Sequence, residues 1–282
     1  MTIIEAIILG VIQGITEFLP ISSTGHLTLA GKFMNLISAE NPEHWTSFIA
    51  IIQLGTMVSI LLYFWRDILN ITMEFLDQNA IHRRKFSEQT LNAKMGWFIF
   101  AGTLPIVIIG LGFKDIIEGA FTKNLYVISV SLIVLAVILA IAEKTAKFKY
   151  ELKDINFFRA IMVGLAQAVA LIPGSSRSGT TITAGLFVGF NRETAARFSF
   201  LLSIPAILAS GILQLKEAIP YLDGDATVNL IVATIVSALS GWLAIDFLLK
   251  FLKKYSTFVF IYYRIALGII ILFLIISGYI QP

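Results

Sequence analysis

Six stretches of this chain run on without a charged side chain: Trp45–Trp65, Met95–Phe113, Asn124–Ala142, Ser199–Leu215, Ala226–Ile245 and Ile265–Pro282. Each is near the roughly 20 residues a helix needs to cross a bilayer. The composition agrees: 57% of residues are hydrophobic and 14% charged, against about 45–50% and about 25% in soluble proteins. The sequence predicts an all-α polytopic membrane protein with six transmembrane helices, residues 1–282 forming a single integral membrane domain.

The N-terminus lacks a basic region, and no small-residue cleavage site follows its first apolar stretch, so a removable signal peptide is not expected. With no cysteine in the chain, disulfides, thiolate catalysis and Cys-ligated metals are excluded. A formal charge of +3 is too small to imply nucleic acid; the basic residues are expected at the membrane edges.

Two further apolar stretches, Ala6–Gly31 and Ala160–Phe190, are interrupted near their middles, at Pro20–Gly25 and at Pro173–Gly179. Proline removes a helix donor and glycine weakens the helix, leaving halves too short for the bilayer. Both are expected to be re-entrant helix-loop-helix hairpins, over about 6–31 and 160–190. Loop backbone at that depth must be buried in protein or line a wet cavity. The stretches also resemble each other: Ala6–Gln13 (AIILGVIQ) lines up with Ala160–Gln167 (AIMVGLAQ), and after a one-residue offset Pro20–Ser23 matches Pro173–Ser176. Residues 1–112 and 158–250 are expected to form two repeats.

Lys and Arg gather in Arg66–Lys94, Lys144–Arg159 and Lys250–Lys254, while Lys216–Asp225 is mostly acidic. The positive-inside rule makes the first three cytoplasmic. Residues near Glu43 and Pro282 then fall outside and those near Lys153 inside. The two hairpins enter from opposite faces, so the repeats are inverted and their loops meet near the midplane, where inverted-repeat membrane proteins build their sites.

The second loop, PGSSRSGTT, offers Arg177, backbone N–H groups at a helix start and the hydroxyls of Ser175, Ser176, Ser178 and Thr181. An arginine at membrane depth is expensive and marks a function or a partner; helix N-termini and guanidinium forks both suit phosphate. The plainer alternative is an ion pair between Arg177 and Glu17. In the first loop, Gln13 and Glu17 are four apart on one helix face, and Pro20 turns the chain to deliver Ser22, Ser23 and His26. Glu17 can hold a divalent cation, which prefers oxygen ligands. Ser23 can act as nucleophile with His26 as base, or His26 can attack phosphorus itself; Ser22 or Ser23 can also merely cap the returning helix. His44 and His82 lie near span ends and are expected in solvent. Asp246 and Arg264 are expected to pair, and Gly10, Gly164, Gly185 and Gly211 to permit close helix packing.

Taken together, QGITEFLPISSTGH (Gln13–His26) resembles the (Glu/Gln)-x-x-x-Glu and Ser-Ser-x-Gly-His motifs of the undecaprenyl-diphosphate phosphatases, or bacitracin-resistance proteins, and PGSSRSGTT resembles their Pro-Gly-x-Ser-Arg-Ser-Gly motif. The resemblance covers essentially the whole chain. It implies a bacterial inner-membrane enzyme that takes the terminal phosphate from the C55 isoprenoid diphosphate, recycling the carrier for cell-wall synthesis, with a site opening to the outer face. It also implies a divalent cation, Mg2+ or Ca2+. Glu17, Ser23, His26 and Arg177 fall on family active-site positions, with Ser22, Ser176 and Thr181 nearby. Many relatives carry Glu where this chain has Gln13, so Gln13 is a weaker metal ligand than Glu17. Expected partners are the polyprenyl diphosphate and the bilayer; the sequence also allows a homodimer. The rival reading is an inverted-repeat transporter or flippase for a phosphorylated lipid or anion, which would leave Ser23 and His26 without a task.

Overall fold

A computed structural model describes residues 1–37, 42–113, 124–218 and 224–281. The helices are α1 (Ile3–Phe18), α2 (Ser23–Phe33), α3 (Pro42–Tyr63), α4 (Trp65–Leu76), α5 (Leu91–Gly112), α6 (Leu125–Thr145), α7 (Phe157–Val169), α8 (Arg177–Phe187), α9 (Arg192–Ala218), α10 (Gly224–Leu252) and α11 (Phe258–Ile276). Six of them, α3, α5, α6, α9, α10 and α11, are long and apolar enough to cross a membrane.

Span boundaries differ from those expected. The last span runs over Phe258–Ile276 rather than Ile265–Pro282, which draws Arg264 inside it. The reason is that uncharged runs stop at the first charge, whereas a helix continues through a charge that finds protein on the far side. Arg264 does so: it is fully buried. The expected Asp246–Arg264 pair does not form. Asp246 instead accepts from Lys250 Nζ at 2.7 Å, one turn along the same helix, and from Tyr63 Oη at 3.3 Å. His82 is exposed and sits 3.0 Å from Asp77. The side chains of Glu43 and His44, residue Pro282 and most of the Lys216–Asp225 turn lie outside the described residues.

Both interrupted stretches are helix–break–helix units. Leu19 is extended (ψ 139°), as a residue before proline prefers, and α1 stops there. After each break the chain restarts through a serine in the left-handed region, Ser22 at φ 76°, ψ 97° and Ser176 at φ 68°, ψ 109°. Each serine accepts the N–H three residues on, Gly25 and Gly179, at 3.2 Å, and each opens a helix of 11 residues. This corrects the register of the internal likeness. Ser22 corresponds to Ser176, not to Ser175, and Ser23 therefore to Arg177; Gln13 and Gln167 precede those serines by the same number of residues, so the offset vanishes. Shared backbone conformation, not the prolines, defines the equivalence.

Small residues bring the broken helices close to their neighbours. A Cβ on Gly10 would sit 2.6 Å from the Ala233 carbonyl of α10, and one on Gly164 would collide with the backbone of Gly102 in α5. Gly185 meets Ala195 and Gly211 meets Leu54. At the end of α1, Phe18 packs edge-on against Phe200 of α9 with centroids 5.3 Å apart, inside an apolar cluster that includes Phe64, Phe198 and Ile182. The breaks themselves rest on α6. Gly174, at φ 84°, leaves only 2.5 Å between a Cβ and the Ile128 carbonyl, and Gly25 faces the Ile128 side chain. Apolar walls and glycine seams thus hold two polar loops inside the bundle.

Candidate active site

The two breaks meet at Glu17. Its carboxylate is 3% exposed and lies 3.0 Å from Arg177 Nη2, whose side chain is 10% exposed. Both oxygens accept twice: Oε1 from Arg177 Nη2 and from Gln53 Nε2 at 3.0 Å, Oε2 from Ser23 Oγ at 2.8 Å and from Gln13 Nε2 at 3.2 Å. A second tie joins the loops, Ser178 Oγ donating to the Leu19 carbonyl at 3.1 Å.

Glu17 therefore has a filled hydrogen-bond shell, as a buried charge requires. Arg177 does not. Its Nε is buried without a partner, and Nη1 reaches only the Ser199 carbonyl at 3.4 Å. The guanidinium has donors to spare beside the first turn of α8, where free N–H groups and the helix dipole favour an anion. Residue Ser23 stands at the corresponding start of α2.

Ser23 meets Glu17, so the group positioned to take its proton is the carboxylate. His26 is turned elsewhere. Its Nδ1 lies 2.7 Å from the Ser22 carbonyl, which can only accept, so Nδ1 carries a proton, and Nε2 lies 2.7 Å from Tyr263 Oη, from which the neutral ring accepts. The hydroxyls of Ser176, Ser178 and Thr181 are committed within the protein. Ser176 caps α8, Thr181 Oγ1 donates to the Arg177 carbonyl at 2.7 Å and lies 2.6 Å from Ser199 Oγ, and Ser178 holds Leu19. Ser175 is buried, with its carbonyl taken by Arg264 at 2.9 Å. These residues shape the cradle around Arg177.

Three participants lay outside the sequence reading, Gln53, Ser199 and Tyr263, and a fourth, Arg264, was expected only as a partner of Asp246. Gln53 and Arg264 carried a usable signal, a strongly polar side chain within or beside an apolar span. Tyr263 carried none, because tyrosine is ordinary at membrane edges.

A divalent cation tests differently against this geometry. Among the described residues no group of three or more His, Asp or Glu side chains gathers. What remains near Glu17 is Gln13 Oε1, buried and without a partner because the amide turns its N–H toward the carboxylate. A cation at Glu17 would have to displace one of the four donors on its carboxylate, with Gln13 Oε1 as a second oxygen only once that amide turned, and waters and substrate phosphate as its other ligands.

Six apolar spans enclosing two helix breaks, closed on a carboxylate and a guanidinium with free donors, define an integral membrane protein with a buried polar centre. Residues 6–270 match the family described as bacitracin resistance protein BacA. The chain belongs to that family. It is 54% identical over 268 residues to the undecaprenyl-diphosphatase of Syntrophobacter fumaroxidans, covering 95% of each chain. The undecaprenyl-diphosphatases of Chloroherpeton thalassium and Chlorobium phaeobacteroides are each 50% identical to it, over 99% and 100% of this chain and 98% and 100% of their own.

Proposed function

We propose that this chain hydrolyses the terminal phosphoanhydride of a polyprenyl diphosphate, undecaprenyl diphosphate as in the names of its relatives, releasing phosphate and returning the lipid monophosphate to cell-wall synthesis. Bacitracin resistance would follow from this activity. The observation that carries the reading is the Ser23–Glu17–Arg177 chain: a hydroxyl aimed at a carboxylate that is held by a guanidinium with donors unspent.

In this scheme Arg177 and the N-terminus of α8 bind the terminal phosphate, and Ser23 Oγ attacks its phosphorus. The Oγ–P bond forms, the bridging P–O bond breaks with its electron pair on the leaving lipid monophosphate, and the Oγ proton passes to Glu17. Water then attacks the phosphoserine, phosphate leaves and the proton held by Glu17 returns to Oγ. Glu17 and Gln13 Oε1 would hold a divalent cation, Mg2+ or Ca2+, which when bound neutralises the diphosphate and polarises its oxygens. His26, with its proton fixed on Nδ1, orients the start of α2 through the Ser22 carbonyl.

Within the membrane, α1–α2 and α7–α8 are re-entrant hairpins of an inverted repeat, residues 1–112 against 158–250. Supporting this, α2 and α8 at 11 residues extend only about 16 Å at 1.5 Å per residue, half the bilayer core, and the breaks share one backbone conformation. In this reading the chain lies in the bacterial inner membrane with its site opening outward, an orientation that the positive-inside rule supports. The test is phosphate release by purified protein from farnesyl and undecaprenyl diphosphates. Absence of release with Mg2+ or Ca2+ present, from a folded preparation, would remove the reading.

A further inference from the structure

Arg264 is the largest fully buried side chain among the described residues, at 0% exposure in the middle of α11. No carboxylate there lies within ion-pair distance of it. Its Nη2 donates to the Ser175 carbonyl at 2.9 Å and to the Ser131 carbonyl at 3.5 Å, while Nε and Nη1 have no partner. Nη1 points at the first turn of α8: a Cβ on Gly179 would come within 2.6 Å of it.

This placement runs against ordinary electrostatics. A helix favours cations at its C-terminus, not its N-terminus, and a buried charge is expected to have a counter-charge. Arg177, one residue into the same helix, is balanced by Glu17. The pair sums to zero, so without Arg264 the cradle would offer a multiply charged anion no net positive charge from its side chains.

We propose that Arg264 is a positioning residue of the diphosphate cradle, acting from behind the loop. It pulls the Ser175 carbonyl away from the phosphate, so that the N–H groups at the start of α8 face the anion. It also supplies the uncompensated positive charge that a bound diphosphate neutralises. In the free protein that charge is unpaired; its counter-ion is the substrate. The inference rests on the diphosphate reading above.

The test uses purified wild type, Arg264→Gln and Arg264→Lys in detergent, with inorganic pyrophosphate as competitor of farnesyl diphosphate hydrolysis. Glutamine keeps an amide donor on a shorter stem but carries no charge; lysine keeps the charge. Arg264→Gln is expected to raise the pyrophosphate inhibition constant by about 10–100-fold, as a charge several ångströms away in a protein-like dielectric would. Arg264→Lys should stay within about fivefold of wild type. Near-wild-type inhibition of Arg264→Gln would overturn the proposal, leaving a loop anchor; so would an equal loss in both variants. Should Arg264→Gln not fold, Gly179→Ala displaces the guanidinium from the other side, with about 3–10-fold weaker inhibition expected and unchanged inhibition fatal. Wild type that hydrolyses no diphosphate would instead sink the reading on which the inference rests.

Discussion

Replacing Arg177 by lysine separates a phosphate grip from a structural ion pair. In the structure Nη2 serves Glu17 at 3.0 Å, and Nη1 and Nε are almost unspent. A lysine ammonium can satisfy the Glu17 bond but cannot present the planar fork. Stability should therefore change little, within about 1 kcal/mol, because the buried carboxylate keeps a cationic partner. Arg177→Gln, by contrast, orphans Glu17 at 3% exposure and should cost about 3–5 kcal/mol. For catalysis the order reverses in importance. Losing one or two charge-assisted bonds to the transferring phosphate should remove roughly 1.4–4 kcal/mol of transition-state binding, or about one to three powers of ten in kcat/KM. The assay is phosphate release from a short-chain polyprenyl diphosphate, alongside thermal unfolding in the same detergent. A folded Arg177→Lys enzyme with near-wild-type kcat/KM would refute the phosphate role. The double variant Glu17→Gln with Arg177→Gln provides a check on the stability half: it should be more stable than Arg177→Gln alone, since no charge is then orphaned.

Four further outcomes are expected. Ser23→Ala should lose at least about 10³-fold in turnover while retaining pyrophosphate binding, and activity within tenfold of wild type would reject the hydroxyl as nucleophile. Excess EDTA should silence the wild type and added Mg2+ or Ca2+ restore it; full activity in chelator would exclude a cation at Glu17. With an impermeant thiol reagent on intact cells, Tyr279→Cys in this cysteine-free chain should label and Lys153→Cys should not, and the reverse pattern would invert the threading. Gly164→Ala should destabilise by at least about 1–3 kcal/mol, because its Cβ meets the Gly102 backbone rather than a movable side chain; an unchanged unfolding temperature would contradict the α5–α7 contact.

Much of this protein is determined by its sequence alone, because the physics involved is local. Uncharged runs near bilayer length define spans whatever their neighbours, and Pro20, Pro173 and Gly174 interrupt helices through their own backbone limits. Polar residues concentrated at those interruptions, Glu17, Ser23 and Arg177 among them, identify the centre, since nothing else offsets their cost in an apolar chain. Tertiary structure decided the pairings. That Ser23 faces Glu17 rather than His26, that Gln53 from α3 completes the carboxylate's shell, and that Arg264 backs the second loop instead of meeting Asp246 all depend on which helix faces are brought together. Those contacts join residues from 6 to 89 positions apart, and no local pattern encodes the orientation of one helix about its axis against another. Even the register of the internal likeness needed backbone geometry, because Ser22 and Ser176 are equivalent in conformation while their neighbouring prolines are not.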